Sequence, residues 1–165
     1  MTAADKQIRL QPLTETAFAG FGDVIALKAK PDMIINQGMC GRHHDMAQLD
    51  FARGGQAGIS LFDATPRVLP YTLDMMERHP KGSQAFVPMH DAPFLVIVAD
   101  DKDGQPGLPQ AFLTAPQTGI NIHKNTWHGV LTPLSAPGLF AVIDRIGNDV
   151  NLEEHWFDQE YTVIA

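Results

Sequence analysis

The sequence predicts an all-β protein of mainly antiparallel strands, closed into a barrel or stacked as a sandwich, with one or two short helices. Three observations lead there. Twelve prolines and fourteen glycines are spread along 165 residues and cut the chain into short elements. Apolar residues recur in short alternating or continuous runs with turn residues between them, the mark of half-buried and fully buried strands. No long amphipathic helical segments alternate with those runs, as a parallel α/β sheet would require.

Taken in order, Thr14 is placed to cap a short helix over 15–19 that ends near Gly20 and Gly22. Strands are expected over 23–27, 58–62, 68–77, 84–89 and 94–99, and then over 110–114, 119–124, 128–131, 138–144 and 161–164. A second short helix is expected around 45–50. A chain of this length is expected to form one domain, 1–165, and to bury roughly two-thirds of its unfolded surface, enough for a core without disulfides or structural zinc.

The formal net charge is −7, and the twelve Lys and Arg residues are scattered. Nucleic acids and anionic membranes are bound through basic patches, so neither is an expected partner. A small anionic substrate, which needs only one or two cations, remains open. Cys40 is the only cysteine, which excludes a disulfide framework and a thiolate zinc cluster. The stretch MTAADKQIRL has no apolar leader segment and no run approaches membrane-spanning length, so a cytoplasmic location is expected.

The chemistry gathers in two stretches. In ERHPKGSQAF, an extended backbone through Glu77 puts Met75, Glu77 and His79 on one face and Arg78 on the other. The apolar residues upstream, Tyr71 and Leu73, then mark the Glu77 and His79 face as inward, while Pro80-Lys81-Gly82 turns the chain and Gln84 and Phe86 share a face beyond. The second stretch, GINIHKNTWHG, ends one strand at His123 and opens the next at His128. A carboxylate, a carboxamide and imidazoles meeting at one barrel mouth suit a divalent metal or acid–base work near neutral pH. A lone inward histidine is more often a hydrogen-bonded structural residue. An inward carboxylate beside it shifts the balance toward function, because it is costly to bury without a partner. His43, His44, His90 and His155 read as surface or structural, and Asp144-Arg145 reads as an ion pair or as an Arg145 grip on a carboxylate.

These stretches resemble the cupin superfamily, and more closely its ureidoglycolate lyase branch. The resemblance is carried by FGDVI at 21–25, INQG at 35–38, ISLF at 59–62, MERHPKGSQAF at 76–86, VIVA at 96–99, GINIHKNTWH at 119–128 and Asp144-Arg145. It implies a cupin-type β-barrel and elimination of urea from ureidoglycolate to give glyoxylate, a step in allantoin degradation. The general cupin ligand pattern falls on Glu77, His79, Gln84 and His128, where a Glu and a Gln replace the usual His and Glu. The resemblance implies nickel as the metal, with zinc or manganese also admitted by such donors, no organic cofactor, and a homodimer. On that basis His79 and His128 act on the reacting hydroxyl with Glu77 beside them. Gln84 and Asn36 bind the ureido group, Arg145 or Lys124 holds the carboxylate, and His123 lies among the substrate-binding candidates. The competing expectations are a cupin that senses a small acid without turning it over, and another small metal-dependent cupin enzyme.

Overall fold

The computed structural model describes residues 6–165. The chain runs through β1 (Gln7–Pro12), α1 (Glu15–Phe18), β2 (Gly22–Ile25), β3 (Met33–Ile35), a 3-10 turn at Asn36–Gly38, β4 (Cys40–Arg42), β5 (Gln56–Asp63) and β6 (Tyr71–Arg78). It continues with β7 (Gln84–Pro88), β8 (Phe94–Ala99), β9 (Asp101–Lys102), β10 (Gln105–Pro106), β11 (Gln110–Leu113) and β12 (Gly119–Ile122). The last elements are β13 (Trp127–His128), β14 (Thr132–Pro133), β15 (Leu139–Ile146) and β16 (Glu153–Ile164).

Strands β11, β1, β16, β6, β13 and β8 pair in that order, and β8 pairs back with β11 to close a six-stranded barrel. All six supply one apolar cluster that includes Ile8, Leu73, Ile97, Ala111, Trp127 and Val163. A five-stranded sheet, β2-β12-β7-β15-β5, packs beside the barrel. Phe86, Ile120 and Val142 of that sheet meet Phe94, Val96, Val98 and Phe112 of the barrel in a second cluster. Strand β8 is therefore buried on both faces, which is why its sequence, FLVIVA, is continuously apolar rather than alternating. Among the described residues, no helix is long and apolar enough to cross a membrane.

The all-β expectation holds, and the pairing is antiparallel except at β1, which lies parallel to both β11 and β16. The Thr14 cap also forms, with Ala17 N–H donating to Thr14 Oγ1 at 3.1 Å. The expected helix at 45–50 is absent. Its backbone is bonded sideways instead: Gln48 N–H donates to Asp23, Asn121 Nδ2 to the Gln48 carbonyl, and Asp50 exchanges bonds with Ser83 through N–H and carbonyl. With those groups engaged, Gln48 and Asp50 cannot join a helical i to i−4 ladder. The expected strand at 128–131 ends after His128, with one further bond from the Gly129 N–H to the Ile97 carbonyl, and strand pairing resumes at Thr132.

Candidate active site

Glu77 and His128 are brought face to face by strand register. His128 lies opposite Glu77 of β6 on one side and opposite Val98 of β8 on the other. Val98 belongs to the cluster between barrel and sheet, so the three side chains look toward the five-stranded sheet. The alternation in β6 slips on the way: Met75 and Met76 are both buried, and Met76 rather than Met75 joins Tyr71 and Leu73 inside the barrel. Across the cleft, Ala85 pairs with Ile143, which sets Gln84 beside Asp144. Both lie two residues from members of the same cluster, Phe86 and Val142, and so share its face.

Glu77 Oε1 lies 3.5 Å from His128 Nε2 and 3.9 Å from His79 Nε2, and the two imidazole centroids are 5.2 Å apart. One ligand atom from each of the three residues falls within 4.8 Å of the others. His79 Nδ1 is 2.8 Å from the Asn151 carbonyl and His128 Nδ1 is 3.0 Å from the Thr126 carbonyl. A carbonyl only accepts, so each Nδ1 carries a proton, and in the neutral ring Nε2 presents a lone pair. Both Nε2 atoms are buried without a hydrogen-bond partner, since 3.5 Å to Glu77 is too long for a well-formed bond. Imidazoles anchored at Nδ1 with free, converging Nε2 atoms beside a carboxylate are the donor set of a divalent-metal site, and these residues fit one.

The electrostatics agree. The facing His128 imidazole holds the Glu77 carboxyl below its ordinary value, against the opposing effect of burial. Burial, reinforced by His128, lowers the His79 pKa. An ionised carboxylate beside a neutral His79 is the ligating protonation state.

The other sequence candidates are placed less centrally. Gln84 is buried on the facing sheet, with Nε2 donating to Asp144 Oδ2 at 3.2 Å. Lys124 is carried by the turn whose Asn125 N–H donates to the His79 carbonyl, and its Nζ pairs with Asp50 at 2.9 Å on the surface. His123 turns away to Asp23, 3.2 Å from Oδ1, in a separate polar group with Asn121. Burial raises the Asp23 pKa, but the hydrogen bonds from Asn121, Gln48 and His123 outweigh it and leave the carboxyl below its ordinary value. Asn36 is exposed in the turn between β3 and β4, at φ +52°, and no hydrogen bond ties it to the cluster.

Arg145 is not paired with Asp144. Its guanidinium donates to Asp149 through two nitrogens, at 2.8 and 3.1 Å, and to the carbonyls of Ala52 and Arg53. Its stem runs between glycines: a Cβ on Gly82 would stand 2.8 Å from Arg145 Cβ. Arg78 points away from Glu77, bonds Glu153 and Asp101, and lies 4.4 Å over the Trp127 ring, bracing the strand that carries His128.

Two residues were not singled out for the site from sequence. Asn151 fastens the loop after β6, accepting from His79 at its carbonyl and from the Lys81 N–H at its side chain. Asp144 faces the cleft, and period-2 geometry applied to β15 would have separated it from Arg145.

The sequence profile of the ureidoglycolate lyase family matches residues 5–164. A ureidoglycolate lyase of Rhodobacter capsulatus is 58% identical over 150 residues, covering 91% of this chain and 93% of its own. Ureidoglycolate lyase 2 of Rhizobium meliloti is 49% identical over 156 residues, covering 93% and 95%. A ureidoglycolate lyase of Chelativorans is 45% identical over 159 residues, covering 96% of each chain. The chain belongs to the ureidoglycolate lyase family.

Proposed function

We propose that the protein is a ureidoglycolate lyase, eliminating urea from ureidoglycolate to give glyoxylate. The observation that carries the reading is the convergence of the free His79 and His128 Nε2 atoms on Glu77 in a chain of this family. The substrate bears a carboxylate, a hydroxyl and a ureido nitrogen on one carbon. Elimination removes the hydroxyl proton, forms the carbonyl and breaks the C–N bond as nitrogen gains a proton, so protons balance overall.

Glu77, His79 and His128 would hold a divalent ion, nickel by family resemblance, with zinc and manganese suited to the same donors. Bound there, it supplies Lewis acidity that lowers the pKa of a hydroxyl. The chain's own groups do the rest. The carbonyls of Asn151 and Thr126 fix both rings before substrate arrives, so no reorientation opposes the reaction. One Glu77 oxygen would serve the ion, and the other takes the hydroxyl proton and returns it to the leaving nitrogen. Gln84 accepts from the ureido N–H groups. Lys124 holds the substrate carboxylate, since an exposed ion pair such as Lys124–Asp50 exchanges easily. Arg145 already commits four of its five N–H donors to Ala52, Arg53 and Asp149, which leaves it poorly placed for this role.

The reading extends to a cytoplasmic homodimer. Ile59 and Leu61 are 75% and 65% exposed on β5, the edge strand of the five-stranded sheet, and a second copy would cover them. An unpaired Cys40 is in keeping with a reducing compartment.

The test is glyoxylate release from racemic ureidoglycolate, with metal analysis before and after chelation. His79→Ala and His128→Ala should each lower turnover at least ~100-fold, the scale of an acid–base or ligand loss. Ordinary activity in both variants would remove the assignment.

A further inference from the structure

The buried hydrogen-bonding groups around the cluster are one-sided. Beyond the two imidazole Nε2 atoms, Gln84 Oε1 and Asp144 Oδ1 are buried and unpartnered. With neutral rings and a carboxylate, all four atoms are acceptors. Gln84 and Asp144 are joined by the bond from Gln84 Nε2 to Asp144 Oδ2 at 3.2 Å. An ionised carboxylate offers only lone pairs, so this bond decides which way the carboxamide turns. Its NH2 faces Asp144 and its carbonyl oxygen is left for something else. Gln84 is 6% exposed, so bulk water does not fill that place.

Unpartnered buried polar atoms are rare in folded proteins, and several in one cleft mark a place where a ligand completes the bonding. What completes this one must arrive with N–H or O–H donors, or with positive charge. The ion held by Glu77, His79 and His128 would answer the imidazoles. The Gln84 and Asp144 oxygens belong to the opposite wall, on β7 and β15. Glu77 and His128 lie opposite Val98, and Gln84 and Asp144 lie two residues from Phe86 and Val142; all three apolar residues belong to one cluster, so the two walls face each other. A ureido group has three N–H donors on two nitrogens flanking one carbonyl, and so matches two linked acceptors.

Resting on the lyase reading, we propose that Asp144 is a specificity-determining residue. Its Oδ2 holds the Gln84 carboxamide with the carbonyl oxygen facing the cleft, and its Oδ1 joins that oxygen in accepting the ureido N–H groups. A compound with the same carboxylate and hydroxyl but no ureido N–H leaves both oxygens unpaired and is discriminated against for that reason.

The test uses two probes on the metal-loaded protein, read by titration calorimetry. N-carbamoylglycine carries the carboxylate and the ureido group but no hydroxyl to eliminate. Glycolate carries the carboxylate and hydroxyl without the ureido group. Asp144→Asn replaces one acceptor by an NH2 whichever way the new amide turns. It should weaken N-carbamoylglycine by roughly tenfold or more, the scale of a mismatched buried hydrogen bond. Glycolate binding should stay within about twofold, and metal content should be unchanged, as for any change confined to the ureido subsite.

The double variant Asp144→Asn with Gln84→Glu exchanges donor and acceptor across the pair and returns two acceptors to the cleft. N-carbamoylglycine binding should recover in it. Unchanged N-carbamoylglycine binding in the single variant, equal weakening of both probes, loss of metal, or no recovery in the double variant would each overturn the proposal. So would a wild-type protein that fails to bind N-carbamoylglycine. Because calorimetry needs no turnover, a wild-type protein that binds N-carbamoylglycine yet releases no glyoxylate from ureidoglycolate refutes the lyase reading alone. The ureido subsite then stands or falls by its own variants.

Discussion

Arg145→Met separates a structural arginine from a substrate-binding one. In the structure the guanidinium donates to the Ala52 and Arg53 carbonyls, tying the segment before β5 to the end of β15. Methionine keeps much of the apolar stem between the glycines but removes both bonds. At a net ~1–1.5 kcal/mol for each, the variant should lose about 2–3 kcal/mol of stability. The two-nitrogen pair with Asp149, whose carboxylate is exposed, is left out of that figure. For a chain of this size the loss corresponds to a Tm lower by roughly 4–12 °C. Thermal denaturation gives the shift, and steady-state kinetics on ureidoglycolate below the lowered Tm give KM, expected within about twofold of wild type. A KM raised tenfold with Tm unchanged would show that the guanidinium grips substrate and that the clamp is incidental.

Two further outcomes follow from the anchoring and charge of the cluster. Asn151→Ala removes the acceptor for the Lys81 N–H while leaving the carbonyl that anchors His79, so kcat should fall by roughly tenfold, the low end for outer-shell partners, with KM little changed; a kcat equal to wild type would disconnect this loop from the site. In metal-free protein the lowered His79 pKa means that the unfolded chain binds a proton first as pH falls below 6.5. Stability should therefore fall from pH 6.5 toward the lowered folded value, and the depressed Glu77 carboxyl should extend the loss below pH 4.5. Thermal denaturation against pH should show a shallower slope near pH 6 in His79→Asn, and identical slopes would contradict the assignment.

Much of the site was legible because its two richest stretches sit where strands end. Glu77 and His79 could be placed together from period-2 geometry, although the premise failed locally. The Met75-Met76 slip changes which face Tyr71 and Leu73 share with the site, and burial of two adjacent methionines left no sequence mark to announce it. Residues whose role depends on distant pairing were harder to read. Asp144 and Arg145 are neighbours in sequence, yet their partners are Gln84 and Asp149. β1 was missed because a short strand with one fully buried residue, Ile8, gives little periodic signal. β16 extends back to Glu153, far beyond the expected Tyr161, because its outer half is solvated and charged and its bulge between Trp156 and Tyr161 breaks the alternation.

The two imidazoles take their orientation from main-chain oxygens, those of Asn151 and Thr126. Every amino acid carries such an oxygen. A point substitution at either position can loosen the loop but cannot delete the acceptor itself. The choice of which nitrogen bears hydrogen is thus written into the path of the backbone. A substitution at Asn151 acts only through the Lys81 bond of its side chain, whereas an insertion or deletion between Asp149 and Glu153 would move the acceptor itself and disturb the site more.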